Sequence, residues 1–348
     1  MAPLIPIDGS QGEGGGQVLR TALALSAHTG QGFEITKIRA RRSVPGLRPQ
    51  HLAAVRAASL ICGAKVGGAY DGSPDMRFEP GEIYSGDFRF EIATAGAATL
   101  VMQTIVAPLA TVEGTSRVAV TGGTHVPHSP SYHYLAQHWT AVVARLGLAP
   151  RFELVRAGFY PPGGGEIRAE VTPWTRPAGL TLESRGALVE IVGTSGAREP
   201  GKGAGDLARR QADAARERLW EARRLESRWD MASLAAASPG SFLLLEAVFE
   251  HSRAAFGFLG ERGVRPEVLG DRAARTVLGF LDTEAAVDPH LADQLAVPLA
   301  IGGGGGRVTT NVVTAHLETV AAIVSLFGIG ARTWGRVGGP GGLEVDAC

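Results

Sequence analysis

The stretch GQVLRTALALSAHTG (16–30) returns in altered form twice along the chain, as LVMQTIVAPLATVEG (100–114) and HLADQLAVPLAIGGG (290–304). Each copy carries a glutamine at or near its start, followed by apolar residues at helical spacing that a glycine ends. These glutamines are Gln17, Gln103 and Gln294. A strand-like segment, a second helix-like segment and further strand-like sequence follow each copy. The pattern predicts three repeated units of helices and strands.

The spacing of the glutamines indicates an insertion between the second and third copies. Gln17 and Gln103 are 86 positions apart, whereas Gln103 and Gln294 are 191 apart, which leaves about 105 residues outside a simple repeat. We therefore expect an inserted smaller α/β domain over 185–277. Residues 1–184 and 278–348 would form the large domain that contains the three repeats.

The residues between the second and third copies show their own helix and strand patterns. Residues 206–231 are rich in arginine and glutamate with apolar residues on one side, which predicts an amphipathic surface helix. Residues 241–250 predict a buried strand, and 272–281 predict a second helix. Because strands and helices alternate throughout, the fold class we expect is α/β (α+β), with helices packed on layered sheets.

The composition excludes several classes of protein. The 348 residues include 34 basic and 34 acidic side chains, which argues against a uniformly basic nucleic-acid-binding surface but leaves a local basic groove open. Two cysteines cannot form a disulfide framework or a multi-cysteine zinc site. Without a signal peptide or a spanning apolar run, we expect a cytoplasmic protein that does not contact membranes.

A glycine-rich loop follows the first predicted strand. In IPIDGSQGEGGGQVLR (5–20) the order strand, loop, helix would direct backbone N–H groups at a phosphate, although neither a Walker A loop nor a dinucleotide fingerprint is present. Glu13 stands among the glycines, and Arg20 lies one turn into the helix. A metal ion on nucleotide phosphates would suit this carboxylate, and a tight turn with a solvated glutamate explains it equally well.

Arginines crowd the next turn, IRARRSVPGLRPQHL (38–52). Arginine forks match phosphate oxygens, so Arg39 and Arg42 favour an anion site over a merely solvated loop. Gln50 begins the following helix and could reach the same pocket.

Histidines gather in a third region, GGTHVPHSPSYHYLAQH (122–138), where no common zinc spacing occurs. We expect a polar loop at the rim of a pocket there. His316 stands at the corresponding strand-to-helix junction of the third copy. From the residues alone it is either a nucleophile at a shared site or an ordinary histidine at the start of a helix.

Seven motifs follow one another in the chain: DGSQGEGGGQVLR, IRARRSVPGLRPQHLAAV, VMQT, GGT, GFYPPGGG, LADQLAVPLA and AHLETV. In this order, and over essentially the whole chain, they resemble the RNA 3′-terminal phosphate cyclase family. The resemblance implies three βαβαββ units with an inserted α/β domain. It also implies an enzyme that uses ATP and a divalent metal ion, Mg²⁺ or Mn²⁺, to convert an RNA 3′-phosphate into a 2′,3′-cyclic phosphate.

The resemblance assigns roles to individual residues. It makes His316 the nucleophile that takes AMP from ATP, through a covalent histidyl-AMP and then an RNA(3′)pp(5′)A intermediate. Glu13 resembles the metal ligand. The residues that resemble phosphate or RNA contacts are Arg20, Arg39, Arg42 and Gln50. Those that resemble the nucleotide site are Gln103, Pro130, His290, Leu291, Ala292, Asp293 and Gln294.

Two positions depart from the family pattern, which commonly has tyrosine at His290 and asparagine at Val320. Two alternatives stay open beside the cyclase, and a third is disfavoured. One is a non-catalytic, cyclase-like protein that binds RNA or assists ribosome assembly, and another is adenylation of other polynucleotide phosphate ends. An enolpyruvate transferase is disfavoured because the chain has only three lysines. The oligomeric state, with a homodimer among the options, is also open.

Overall fold

A computed structural model of the chain describes residues 3–174, 178–198, 204–236 and 238–347. Its α-helices within these ranges are α1 (Gly16–Thr29), α2 (Pro49–Cys62), α3 (Ala98–Leu109), α4 (Thr140–Val143), α5 (Ala204–Arg223), α6 (Pro266–Leu281), α7 (Pro289–Gly302) and α8 (Ala315–Leu326). A π-helix, Tyr134–Trp139, runs directly into α4, and a 3-10 turn, Ala144–Leu146, follows it. None of the helices in these ranges is both long and apolar enough to cross a membrane.

Three four-stranded sheets share one topology. The first contains β1 (Ile5–Asp8), β2 (Phe33–Thr36), β3 (Lys65–Gly67) and β4 (Met76–Glu79), in the order β1-β2-β4-β3. The second contains β5 (Asp87–Glu91), β6 (Ser116–Gly122), β7 (Arg151–Arg156) and β8 (Gly165–Val171), in the order β5-β6-β8-β7. The third contains β9 (Leu180–Leu182), β14 (Gly306–Thr310), β15 (Ala331–Gly335) and β16 (Gly341–Val345), in the order β9-β14-β16-β15.

In each of these sheets the first two strands pair in parallel and the remaining pairs are antiparallel. In the first two units one helix connects the parallel strands, and in the third unit α7 precedes the second of them; in all three a second helical segment precedes the last two strands. The predicted mixed α/β fold with three βαβαββ units is therefore confirmed.

The fourth sheet interrupts the third unit between β9 and α7. It contains β10 (Leu188–Arg198), β11 (Arg228–Ser233), β12 (Gly240–Phe249) and β13 (Arg253–Leu259), in the order β11-β10-β12-β13. Helices α5 and α6 cover one face and share with it a separate apolar cluster that includes Leu219, Leu245 and Val277. Helix α6 continues past 277, where the predicted insertion ends, and the division into two domains stays a prediction.

The helix predicted over 206–231 is too long. Helix α5 ends at Arg223, and Arg228–Ser233 forms strand β11 beside β10. Arg224 adopts a left-handed backbone with φ of 55°, which a helix cannot continue through. Leu225 and Trp229 keep their apolar contacts by packing against the insertion's cluster from outside the helix.

Helix α1 occupies the centre of the large core. Its side chains Val18, Leu19 and Leu23 are buried, and the helix contacts α2, α3, α7 and α8. Because helices from all three units pack around α1, their first turns and preceding loops come close together. This packing positions the candidate site.

Candidate active site

One cavity of about 670 Å³ opens where the three units meet. Most of the residues nominated from the sequence line it. They are Glu13, Arg20, Arg39, Arg42, Gln50, Gln103, Pro130, His290, Asp293, Gln294 and His316. The side chains of Leu291 and Ala292 do not, because they point from α7 into the core and are fully buried.

The glycine loop is pressed against α8. Gly12 and Gly14 have φ of 55° and 60°, and a Cβ on Gly12 would collide with Thr319. The Glu13 amide lies 3.4 Å from Thr319 Oγ1, and that hydroxyl donates a 2.6 Å hydrogen bond to the Ala315 carbonyl. The loop therefore holds Glu13 beside α8, the helix that carries His316 in its first turn.

Glu13 connects the arginine turn to His316. One carboxylate oxygen contacts Arg42 Nη2, and the other contacts His316 Nε2. His316 is 40% exposed. Burial, helped by the charge of Arg20, lowers the pKa of His316 and outweighs the opposing pull of Glu13. The imidazole is consequently neutral at neutral pH, which is the form with a free lone pair.

Two arginines bring positive charge to the cavity without a neutralising carboxylate. Within the described ranges, neither Arg20 nor Arg39 forms an ion pair. Burial lowers the pKa of Arg20 to about 10, so the guanidinium stays charged at neutral pH. Arg39 donates to the carbonyls of Val44 and Gly46, at 2.7 and 3.1 Å, and thereby fixes the shape of the arginine turn. Unneutralised arginines facing a cavity are typical of an anion site.

Two residues in the first turn of α2, His51 and Gln50, form hydrogen bonds beside these arginines. His51 Nδ1 accepts a 3.1 Å hydrogen bond from the Arg48 amide, and burial beside Arg20 lowers its pKa to about 3. His51 therefore stays neutral. Gln50 Oε1 lies 3.4 Å from the Ala97 amide, which ties the start of α2 to the start of α3.

The three repeat glutamines meet in the cavity. Gln103 Nε2 donates to Gln294 Oε1 at 2.6 Å, and Gln17 Nε2 lies 3.4 Å from Asp293 Oδ1. Burial raises the pKa of Asp293 to about 8, against the opposing contact with Gln17. This carboxyl is therefore mostly protonated at neutral pH and offers both a donor and an acceptor to a ligand.

The sequence profile of the RNA 3′-terminal phosphate cyclases matches residues 11–331. The chain belongs to the RNA 3′-terminal phosphate cyclase family. Relatives that carry this name agree over nearly the full length. The protein from Ralstonia nicotianae is 44% identical over 331 residues, covering 94% of this chain and 92% of its own. The protein from Salmonella enteritidis is 41% identical over 333 residues, covering 94% of both chains.

A third relative of the same name, from Methylococcus capsulatus, is 40% identical over 335 residues, covering 94% of this chain and 91% of its own. Among solved structures, the enolpyruvyl transferase NikO from Streptomyces tendae aligns with a TM-score of 0.36 and 9% identity, covering 98% of this chain and 47% of its own. A TM-score this low does not establish a shared fold. Membership of the cyclase family, and with it the enzyme class, rests on the sequence relatives.

The histidine-rich segment of this cyclase differs from the polar rim predicted for it. His128 lines the cavity, but His125, His133 and His138 are buried. His125 Nε2 and His133 Nδ1 are 2.9 Å apart, and burial lowers the pKa of both rings. The rim prediction is wrong for these three because each ring finds a partner inside the protein, which their spacing in the sequence does not reveal.

Other cavity residues were missed by sequence reasoning. Phe258 and Leu259 reach the cavity from β13 of the inserted sheet, and Tyr134 reaches it from the π-helix. Nothing in the local pattern of these residues distinguishes them from core residues. Phe258 and Leu259 line the cavity because the inserted sheet packs against the repeats, and Tyr134 does so because the π-helix lies beside the same cavity.

The protein's own ligands for a metal ion are few. No group of three or more histidine, cysteine, aspartate or glutamate side chains is arranged to hold a metal in the ranges 3–174, 178–198, 204–236 and 238–347. Glu13 is one carboxylate near the unneutralised arginines. Mg²⁺ typically binds one or two carboxylates and completes its shell with water and substrate phosphates, so Glu13 fits an ion carried on a nucleotide.

Proposed function

We propose that this chain uses ATP to convert the 3′-phosphate end of RNA into a 2′,3′-cyclic phosphate through a covalent histidyl-AMP. The contact of the neutral, half-exposed His316 with Glu13, beside the charges of Arg20 and Arg42, carries the proposal. A nucleophile, a carboxylate and cations at one cavity are the parts that nucleotidyl transfer requires. The relatives' names and the family profile support the cyclisation of an RNA 3′-phosphate as the overall reaction.

The first step in the proposal joins AMP to the enzyme. His316 Nε2 attacks the α-phosphorus of ATP, the bond from that phosphorus to the bridging oxygen breaks, and pyrophosphate leaves. Arg20 holds phosphate oxygens of ATP and offsets the charge that develops on them. For the attack, His316 must leave Glu13 and carry its proton on Nδ1, so that Nε2 presents its lone pair to phosphorus, while Glu13 retains its contact with Arg42.

Two further transfers follow. An oxygen of the RNA 3′-phosphate attacks the adenylyl phosphorus and releases His316, giving RNA(3′)pp(5′)A. The neighbouring 2′-hydroxyl then attacks the 3′ phosphorus, loses its proton and expels AMP, which closes the cyclic phosphate. These steps need the reacting groups held in line more than they need further covalent chemistry.

The residues around the cavity divide between the substrates in this proposal. Gln103, Gln294 and Asp293 offer hydrogen-bonding groups to a nucleotide, with Pro130 and His290 on the walls. A divalent ion bound by Glu13 would neutralise phosphate charge. Arg39, Arg42 and Gln50 would face the RNA end.

A chemically defined RNA end tests the activity. The purified chain is incubated with ATP, Mg²⁺ and an oligoribonucleotide that carries a labelled 3′-phosphate. We expect the label to become resistant to phosphatase. A matched oligonucleotide that lacks only the terminal 2′-hydroxyl should stop at the adenylylated end, because the last nucleophile is missing.

Other substrates, and a binding measurement, distinguish the proposed activity from its two alternatives. Equal turnover of a DNA 3′-phosphate or a 5′-phosphate would favour adenylation of polynucleotide ends in general. RNA binding with no ATP consumption would contradict the proposal and favour the non-catalytic, cyclase-like protein.

A further inference from the structure

A buried cluster of charged side chains lies behind the cavity wall, apart from the residues assigned above. His138, in the π-helix, is fully buried, with Nδ1 2.6 Å from Glu246 Oε1 and Nε2 3.0 Å from Asp288 Oδ2. Glu246 belongs to β12 of the inserted sheet, and Asp288 is the N-cap of α7. One imidazole thus connects three segments that are far apart in the sequence.

The hydrogen-bonding geometry requires a charged ring. Ionised carboxylates only accept hydrogen bonds, so an imidazole can donate to both of them only when both nitrogens carry protons. Burial by itself lowers the pKa of His138, but the hydrogen bonds to Asp288 and Glu246 outweigh burial and raise it to about 9. Arg253 Nη1, 3.3 Å from Glu246, supplies a second positive charge. Two cations therefore balance two carboxylates.

Asp288 transmits this arrangement to the cavity. Its Oδ1 accepts hydrogen bonds from the Tyr134 hydroxyl at 3.0 Å and from the amides of His290 and Leu291 at 3.1 and 2.9 Å. Its Oδ2 accepts from His138 and, at 3.2 Å, from the Ala255 amide of β13. The same carboxylate therefore holds the first turn of α7 and the middle of β13.

Both elements continue into the cavity wall. Helix α7 presents His290, Asp293 and Gln294, and β13 presents Phe258, three residues after Ala255. Without a charged partner at His138, the buried Asp288 would have to protonate or turn, because an unpaired buried charge is strongly disfavoured. Either change loosens the start of α7 relative to β13.

We propose that His138 is a positioning residue for the nucleotide: its contacts with Asp288 and Glu246 hold α7 and β13 at the spacing that ATP needs. The inference rests on the proposed function, in which α7 supplies residues of the nucleotide site, and β13 lines the same cavity through Phe258 and Leu259. His138 does not line the cavity itself. Loss of the His138 contacts should therefore weaken nucleotide binding and leave the chemical step at His316 unchanged.

The test uses His138→Gln, which removes the charge and one of the two donors. His133→Gln is the matched control, because His133 is also buried in the same segment and stacks on Phe242 of β12 but has no hydrogen bond to Asp288. Binding of an ATP analogue with a methylene between the α- and β-phosphorus is measured at equilibrium, together with steady-state turnover and the thermal midpoint.

We expect His138→Gln to weaken analogue binding about tenfold and to raise KM for ATP by a similar factor. Turnover at saturating ATP should stay within about threefold of wild type. His133→Gln should lower the thermal midpoint without changing the affinity. Asp288→Asn keeps the cap acceptor but removes the charge, and it should reproduce the affinity loss, which keeps the inference testable should His138→Gln not fold.

Unchanged affinity in folded His138→Gln and Asp288→Asn would overturn the positioning role and leave the proposed function standing. Equal loss of affinity in His133→Gln would also overturn it, since any damage to this junction would then suffice. A wild-type chain that binds no analogue would overturn the proposed function itself, and this inference with it.

Discussion

Glu13 is the residue on which the account of the site depends most directly, because it contacts both His316 and Arg42. In the sequence it is a carboxylate in a glycine loop, equally consistent with a solvated turn. The structure brings that loop against α8 and the arginine turn. The contacts favour a functional carboxylate, and its role as a metal ligand remains the proposal that a metal titration can test.

Replacing Glu13 with alanine should impair the enzyme most when the metal ion is limiting. We expect the Mg²⁺ concentration that gives half-maximal turnover to rise by about tenfold or more. Losing a residue that only supports a metal ligand typically costs roughly tenfold in metal affinity, and losing the ligand itself should cost at least as much. The measurement is turnover across a Mg²⁺ titration at saturating ATP. A loss of the same size at every Mg²⁺ concentration would contradict the ligand role.

Asp293 should make the stability of the fold sensitive to pH. Its carboxyl ionises near 3.8 in the unfolded chain, whereas burial raises the pKa to about 8 in the folded chain. Between these values the folded chain holds a proton that the unfolded chain has lost, so this contribution to stability falls as the pH rises.

The variant Asp293→Asn removes this dependence while keeping the size of the side chain. Relative to wild type, the variant should therefore gain stability as the pH is raised from 5 to 9. Urea unfolding of both proteins at several pH values measures the difference, in which the titration of other groups cancels. A difference that stays constant with pH would show that Asp293 ionises normally in the folded chain.

At the scale of single elements, the glycine loop and α8 act as a pair. The close approach of Gly12 to Thr319 leaves no room for a side chain, and the loop amide of Glu13 faces the same hydroxyl. The position of Glu13 should thus depend on a glycine that carries no chemistry of its own.

Gly12→Ala should reduce turnover by displacing this loop. The matched control is Gly30→Ala, because Gly30 also has a positive φ, 71°, but has open space where a Cβ would stand. Both variants should lose about 1 kcal/mol of stability from the strained backbone. Only Gly12→Ala should also lose activity, measured as pyrophosphate release. Equal turnover in the two variants would mean that the loop tolerates displacement.

The elements were predictable to different degrees, for physical reasons. Helix α1 and its counterparts α3 and α7 all show apolar residues at helical spacing, so the repeat could be recognised from the sequence. Glycines follow α1 and α7 directly, whereas α3 ends in apolar residues. Strand β11 was hidden because the charged pattern of α5 continues through Arg228, and only the left-handed backbone at Arg224 separates them. Local charge pattern carries no record of such a break.

At the scale of the whole molecule, the repeat explains why the site lies where it does. Helices of three units pack around α1, and the three repeat glutamines approach one another across that junction. The arginine turn and His316 occupy matching strand-to-helix junctions and share the cavity. Equivalent positions of the repeat thus carry different side chains that face one cavity.

The sequence reveals that an insertion exists, but it does not reveal which residues the insertion contributes to the cavity and to the buried cluster. The spacing of the glutamines reveals the extra residues, yet β9 precedes the inserted sheet and pairs with β14 across it. The contribution of β13 to the cavity, and of Glu246 to the buried cluster around His138, depends on long-range packing. Such contacts leave no periodic signal in a single sequence.

The central claim is that His316 accepts AMP, and a labelling experiment tests it most directly. Wild type, His316→Ala and His251→Ala are incubated with ATP labelled in the α-phosphate and Mg²⁺, then separated under denaturing conditions. His251 is an exposed histidine outside the cavity and serves as the control. His316→Ala should keep its fold, since a half-exposed side chain in the first turn of a helix contributes little to stability.

We predict an acid-labile labelled band in wild type and His251→Ala and none in His316→Ala. A band of equal intensity in folded His316→Ala would contradict the account, as would no band in wild type.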